Sequence, residues 1–281
     1  TIAARSRTAT RTAMVTSRPR MRSAARASSS ITRGSAGEGV VPGIARERVV
    51  LEAIPPGGGA PVPKDRFYGE PSDGFPLPFV VHRKIPGVPL DTLEPETVDA
   101  AKARTIGGSV GERLRQVHAL PTSLLDAATG DDDGMDDWLS EARVILDRIE
   151  DELPREAVLA TRARLDPPRA PTERVITHGD LGPEHILVDP ETHRVGGIID
   201  WEDVGRWEAA GDFVGVWAAL GEPALQAALE AYGRPGDDAL AARTRFNATR
   251  WLVHQVKTAE DGWMPDARGR WLSLLTLRSR S

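Results

Sequence analysis

Over much of the chain, apolar side chains recur at steps of three and four residues, the spacing of one face of an α-helix. The clearest stretch is residues 100–118. The same spacing predicts further helices over residues 45–54, 139–153, 213–217, 224–232, 238–256 and 271–277. The part of the chain after residue 213 is therefore predicted to be helical, with little sign of further strands.

A different pattern occupies residues 175–203. Short apolar runs bounded by Gly- and Pro-containing turns predict two short buried strands there, at residues 186–188 and 195–199, after a strand cue at residues 175–176. Polar residues, which a buried core would disfavour, follow directly after these apolar runs. Asp180, His185 and Asp200 are therefore predicted to converge at the mouth of a hairpin-like unit.

These three polar groups have the chemistry that phosphoryl transfer requires. A carboxylate at the end of a rigid strand can take a proton from a hydroxyl. A nitrogen or oxygen donor beside a second carboxylate can hold a hard divalent cation against phosphate oxygens. Because positioning and charge neutralisation carry most of the catalysis in phosphoryl transfer, the pattern favours a kinase. A metal-dependent hydrolase built on the same groups is an alternative, and it would need a further open metal position.

At these residues the chain resembles the aminoglycoside phosphotransferase family, antibiotic kinases that are relatives of the eukaryotic protein kinases. The family pattern is an H-x-D triplet, then Asn or His, then an apolar I-D-[FW] triplet, matched here by residues 178–180, His185 and residues 199–201. A histidine at the second position is more like the macrolide and certain aminoglycoside kinases than the Asn-bearing members. The resemblance implies an α+β, protein-kinase-like fold with a small N-terminal lobe and a mainly helical C-terminal lobe.

The resemblance also implies roles for individual residues. Asp180 would be the catalytic base or the carboxylate that orients the acceptor hydroxyl, while His185 and Asp200 would bind Mg²⁺. His178 and Asp212 would support the catalytic loop through hydrogen bonds. The implied cofactor is ATP or GTP with Mg²⁺, and the implied cofactor-binding residues are Glu47, Arg83, Ile85 and Ile199.

The resemblance divides the chain into three parts. Residues 1–43 are rich in Arg and Ser and show no regular period, which predicts a poorly ordered segment. Residues 44–88 would hold the remnant of the nucleotide-binding lobe, including a strand over residues 79–85 whose backbone receives the adenine ring. Residues 89–281 would form the helical lobe that carries catalysis and substrate binding.

The family pairs the Glu of its first helix with a Lys that grips the nucleotide phosphates. Glu47 matches that Glu, but no Lys precedes Lys64. Arg33 or Arg46 could substitute electrostatically, although Arg and Lys are not interchangeable at a tight phosphate site. The alternative is that Glu47 is a solvated surface residue.

The charge of the chain bears on its partners. The formal net charge of −5 argues against nucleic acid as a partner and suits a small cationic or polyhydroxylated substrate. A candidate for the substrate rim is a set of acidic residues, namely Asp136, Asp137, Glu202, Asp203 and Glu208. The acidic run at residues 131–137 has an alternative interpretation as a solvated loop or a helix N-terminus. Four tryptophans could line a pocket or belong to the core, namely Trp207, Trp251, Trp263 and Trp271.

No apolar run approaches the ~20 residues that cross a bilayer, so no membrane association is predicted. The absence of cysteine excludes a disulfide framework and fits a cytoplasmic protein. We expect a small-molecule kinase that transfers the γ-phosphoryl group of a nucleoside triphosphate to a hydroxyl of an aminoglycoside-like or, second, a macrolide-like acceptor. Homoserine, choline and sugar-like metabolites remain open as acceptors. The alternative is a catalytically impaired, kinase-like binding protein that lacks a working nucleotide lobe.

Overall fold

The computed structural model describes residues 40–54, 62–63, 66–70, 72, 78–125, 135–168, 173–262 and 265–280. Several predicted features lie outside these residues: most of the Arg-rich segment with Arg33, the acidic run up to residue 134, Trp263 and the side chain of Asp136. Within the described residues, no helix is long and apolar enough to cross a membrane.

The first described part consists of helix α1 (Val40–Ala53) and an antiparallel pair of strands, β1 (Phe67–Gly69) and β2 (Phe79–Val81). Helix α1 begins four residues earlier than the predicted boundary of the segment at residue 44. Pro42 is compatible with this start because the first turn of a helix does not use that amide hydrogen. The predicted strand over residues 79–85 ends at Val81, since its partner β1 is only three residues long.

There are two further sheets, and one of them contains the predicted hairpin. Strands β3 (Val88–Pro89), β5 (Ile186–Val188) and β6 (Val195–Ile198) form an antiparallel sheet in the order β3-β5-β6. Strand β4 (Arg174–Thr177) pairs instead with β7 (Gly205–Glu208), a strand that the sequence pattern did not predict. The pairing of β5 with β6 confirms the predicted hairpin.

Helices make up the rest of the molecule. They are α2 (Ala100–His118), α3 (Met135–Ile149), α4 (Arg155–Arg164), α5 (Val214–Leu220), α6 (Glu222–Tyr232), α7 (Asp238–Glu260) and α8 (Arg268–Ser279). The bounds of α2 agree with the prediction, and Asp99 caps it by accepting the amide hydrogens of Ala101 and Lys102. Helix α4 was not predicted.

The core lies between these helices and the sheets. Trp201, Phe213 and Trp217 are among its largest fully buried side chains. Trp271 is buried and packs edge-on against Trp251, with ring centroids 5.2 Å apart. These two tryptophans therefore belong to the core and do not line an open pocket.

Candidate active site

The loop after β4 is shaped by a glycine. Gly179 has a φ of +87°, and a Cβ there would lie 2.1 Å from the carbonyl oxygen of Asp203. Only glycine fits both the left-handed backbone and this close approach. The next residue, Asp180, is exposed, and its carboxylate makes no hydrogen bond or ion pair with any described residue. The loop thus presents a free carboxylate beside strand β5.

His178 holds the inner side of this loop. The side chain is buried, and its Nε2–H donates to the carbonyl oxygen of Ile199 at 2.9 Å. Its Nδ1 accepts the amide hydrogen of Asp180 at 3.3 Å. Burial lowers the pKa of His178, so the ring is neutral, as these two hydrogen bonds require. The ring also packs against Trp201, with centroids 4.7 Å apart.

The buried carboxylate of Asp212 holds the backbone of this loop in place. Asp212 accepts the amide hydrogens of His178 at 2.8 Å and Gly179 at 3.3 Å, and it accepts Nε2–H of His118 at 3.0 Å. Nδ1 of His118 in turn lies 3.0 Å from the hydroxyl of Tyr232. Burial raises the pKa of Tyr232 to about 12, so this hydroxyl keeps its proton and can donate it. A chain of hydrogen bonds therefore runs from α6 through the end of α2 to the loop.

The role of His118 in this chain was missed by the sequence analysis. Its position at the end of α2, in the spacing Leu-x-x-x-His, was visible, but a histidine at the end of an apolar helix is usually a core residue. Only the contact with Asp212, which is 94 positions away, identifies what this side chain supports.

His185 and Asp200 face each other across the hairpin. Nδ1–H of His185 donates to the carbonyl oxygen of Asp180 at 2.7 Å, and its Nε2 lies 3.4 Å from Oδ2 of Asp200. Burial alone would lower the pKa of His185, but the negative charges of Glu184, Asp200 and Asp180 outweigh it and raise the pKa. Asp200 has a φ of +66°, unusual for a residue with a side chain.

The spacing of these two groups fits a divalent cation. An imidazole nitrogen and a carboxylate oxygen 3.4 Å apart can both bind one ion at about 2.1 Å, the bond length that Mg²⁺ prefers. Across the described residues, no group of three or more His, Cys, Asp or Glu side chains could hold a metal ion. A cation here would therefore complete its shell with water and phosphate oxygens, the usual arrangement for Mg²⁺.

Glu47 lies in this region, on α1. It is only 8% exposed, and burial followed by the charge of Asp200 raises its pKa to about 7. It is thus not a solvated surface residue. Arg46 does not pair with it: its guanidinium donates to the carbonyl oxygens of Val204 at 3.1 Å and Glu202 at 3.5 Å.

The predicted rim residues are scattered. Glu202 and Asp203 lie two and three residues after Asp200 and are partly exposed, and Asp137 is exposed in the first turn of α3. Glu208 is only 9% exposed, and both of its carboxylate oxygens bind Arg243, at 2.6 and 2.9 Å. Because Glu208 is committed to this buried ion pair, it does not belong to an open rim.

The other predicted cofactor residues are backbone positions. Arg83 and Ile85 lie between β2 and β3, and the carbonyl oxygen of Arg83 is 2.9 Å from Nδ1 of His82. The amide of Ile199 donates to the carbonyl oxygen of His185 at 3.1 Å. Ile199 thereby links the two strands just before Asp200.

Comparison with known proteins identifies the family. The sequence profile of the phosphotransferase enzyme family matches residues 32–246, which include every residue of the loop and the hairpin. The chain belongs to this family. An aminoglycoside 3'-phosphotransferase of Streptomyces ribosidificus is 34% identical over 140 residues, 47% of this chain and 49% of the relative. A viomycin phosphotransferase of Streptomyces vinaceus is 29% identical over 203 residues, 66% of this chain and 65% of the relative.

This phosphotransferase family member therefore spans between about half and two thirds of these curated relatives. Among solved structures, the GDP complex of wild-type aminoglycoside 2'-phosphotransferase-IIIa matches with a TM-score of 0.59 at 20% identity, covering 85% of this chain and 82% of that one. The match confirms the predicted α+β fold with two kinase-like lobes.

Proposed function

We propose that this family member transfers the γ-phosphoryl group of ATP or GTP to a hydroxyl of a small, cationic acceptor of the aminoglycoside type. The observation that carries the proposal is the free carboxylate of Asp180 beside the facing pair of His185 and Asp200. One group can receive a proton while the other two hold a cation against the phosphates, which is the arrangement that phosphoryl transfer needs.

In this proposal each residue has a defined task. Asp180 orients the acceptor hydroxyl and receives its proton as the bond to phosphorus forms. His178 and Asp212 keep the loop in place through the hydrogen bonds to its backbone. His185 and Asp200 would hold Mg²⁺, which when bound neutralises charge on the phosphate oxygens.

The acceptor is argued from charge and from the relatives. The two relatives above are named for an aminoglycoside and for viomycin as substrates. Glu202 and Asp203 lie two and three residues after Asp200, where carboxylates would attract ammonium groups of an acceptor. A macrolide-like acceptor is the second choice, and the assay below includes both classes.

The test is nucleotide turnover by the purified chain with Mg²⁺ and either ATP or GTP. A panel of aminoglycosides and macrolides serves as acceptors, and release of ADP or GDP is measured. Asp180→Ala should lower kcat by about a hundredfold or more, because it removes the general base. Asp166→Ala, which removes an exposed carboxylate that pairs with Arg143 on the surface, should leave kcat unchanged.

Two results would contradict the proposal. Turnover that survives in Asp180→Ala would exclude that residue as the base. If the wild-type chain binds nucleotide but turns over no acceptor of the panel, the kinase-like binding protein becomes the better account of the molecule.

A further inference from the structure

Two polar side chains of the small lobe, those of Glu47 and Tyr68, have no hydrogen-bond partner among the described residues. Glu47 is 8% exposed and makes no hydrogen bond or ion pair with any described residue. The hydroxyl of Tyr68, on β1, is also buried and has no hydrogen-bond partner there. Buried polar groups are nearly always paired, because leaving one unpaired costs about 1–3 kcal/mol. The arrangement indicates that a ligand supplies the missing partners.

The position of Glu47 follows from the docking of α1. Gly43 lies against the carbonyl oxygen of Glu202, since a Cβ there would be only 2.9 Å from it. Arg46 holds the same segment by donating to the carbonyl oxygen of Val204. These contacts bring the next residue, Glu47, close enough to Asp200 for their negative charges to repel. A polyphosphate bound at Asp200 would therefore lie close to Glu47, and a cation is needed between them.

Arg66 is placed to be that cation. It precedes β1, is partly buried, and its NH1 donates to the carbonyl oxygen of Pro63 at 2.7 Å, which fixes the direction of the side chain. Of the described cations, it is the one whose charge lowers the pKa of Glu47. Its charge also acts on Tyr68, the other unpartnered group.

The neighbouring arginines of α1 are engaged elsewhere. Arg46 binds backbone carbonyl oxygens of the large lobe. Arg48 is exposed, pairs with Glu52 at 2.9 Å and lies over the ring of Tyr68 at 5.2 Å. Both guanidinium groups thus have partners other than Glu47.

We propose that Arg66, positioned by Glu47, is the residue that grips the phosphates of the nucleotide. A guanidinium has five donors in a planar fork, so it can bind a carboxylate with one edge and a phosphate oxygen with the other. The cation thus comes from the residue that directly precedes β1. The inference rests on the proposed function, because it assigns the phosphate end of the same nucleotide site.

Equilibrium binding of nucleotides to the whole chain tests this assignment without any acceptor. ADP, ATP, GDP and GTP are titrated with Mg²⁺, and adenosine and guanosine serve as ligands without phosphate. Arg66→Met should weaken nucleotide binding at least tenfold, the loss expected for a hydrogen bond between charged groups, and should leave nucleoside binding unchanged. Arg48→Met removes an equal charge from the same surface and should change the affinity less than twofold. Arg66→Lys should retain more affinity than Arg66→Met.

The variants are first compared by circular dichroism and thermal unfolding. If Arg66→Met does not fold, Arg66→Gln, which keeps a donor for the carbonyl oxygen of Pro63, takes its place with the same expected loss. Unchanged nucleotide affinity in the Arg66 variant, an equal loss in Arg48→Met, or no nucleotide binding by the wild type would overturn the inference.

The outcomes separate the two proposals. Wild-type binding of nucleotide that depends on Arg66, together with no acceptor turnover, would support the phosphate site and contradict the proposed kinase activity. Turnover that depends on Asp180 and is unchanged by substitution of Arg66 would support the proposed kinase activity and contradict the phosphate site.

Discussion

Two residues of the candidate site, Gly179 and Asp200, have left-handed backbone conformations. Gly179 must be glycine for a steric reason as well, because a Cβ there would collide with the carbonyl oxygen of Asp203. Asp200 does carry a side chain, and a non-glycine residue in this region costs about 1–3 kcal/mol. Such strain concentrates at functional sites, and here it accompanies the approach of the Asp200 carboxylate to His185.

Comparing Gly179→Ala with Gly233→Ala separates the cost of backbone strain from the cost of the steric clash of the added Cβ. Gly233 also has a positive φ, of +93°, but a Cβ there meets nothing within 4 Å. We expect Gly233→Ala to lower the free energy of unfolding by about 1 kcal/mol, from backbone strain alone. Gly179→Ala should cost about 3 kcal/mol and lower kcat about a hundredfold, because the loop must move away from Asp203. Urea denaturation and turnover measure both, and equal losses in the two variants would exclude the steric explanation.

Helices α2 and α6 pack closely against each other at two glycines of α2. A Cβ at Gly107 or Gly111 would lie 2.0 Å from the carbonyl oxygens of Ala224 and Ala228, respectively. These glycines are four positions apart and therefore share one face of α2. The close contact holds α2, which ends at His118, against α6, which ends at Tyr232.

Gly111→Ala should destabilise the protein, whereas Gly108→Ala should stabilise it. A Cβ at Gly108 has its nearest neighbour at 3.9 Å, so alanine there fits and gains up to about 1 kcal/mol in helix propensity. At Gly111 the helices must separate, with a cost of about 2 kcal/mol or more. Thermal unfolding of the two variants decides the matter. Equal effects of the same sign would mean that propensity alone governs α2.

The helices of this protein follow from its sequence pattern more closely than its strands do, for a physical reason. A helix repeats its apolar stripe over many turns, so the bounds of α2 followed from the pattern. Strand β7 has the sequence Gly-Arg-Trp-Glu, which shows no alternation of apolar and polar residues. It forms because β4 offers an edge to which it can pair.

On the scale of the whole molecule, the small lobe is joined to the large one through α1. Arg46 spans the two lobes by donating from its guanidinium to carbonyl oxygens 156 and 158 positions later in the chain. Its hydrogen bonds hold Glu47 beside Asp200, so the candidate nucleotide site depends on this connection.

Arg46→Ala should therefore loosen α1 without unfolding the helical lobe. Amide hydrogen exchange over residues 44–53 is expected to accelerate at least tenfold, the effect of losing hydrogen bonds from a charged group. Exchange in α2 should stay unchanged. Arg104→Ala, an exposed arginine of α2, is the matched control. If α1 exchanges at the wild-type rate in Arg46→Ala, apolar packing alone holds the lobes together.

The sequence by itself determined the order of the candidate-site residues, the kind of chemistry proposed for them and most of the helices. Asp180, His185 and Asp200 lie within one short stretch, so strand and turn patterns sufficed to bring them together. Tertiary structure alone decided which distant groups pair: His118 with Asp212, Arg46 with the backbone after Asp200, and Arg243 with Glu208. These pairs depend on how separate elements pack, and packing between distant residues leaves no periodic trace in a single sequence.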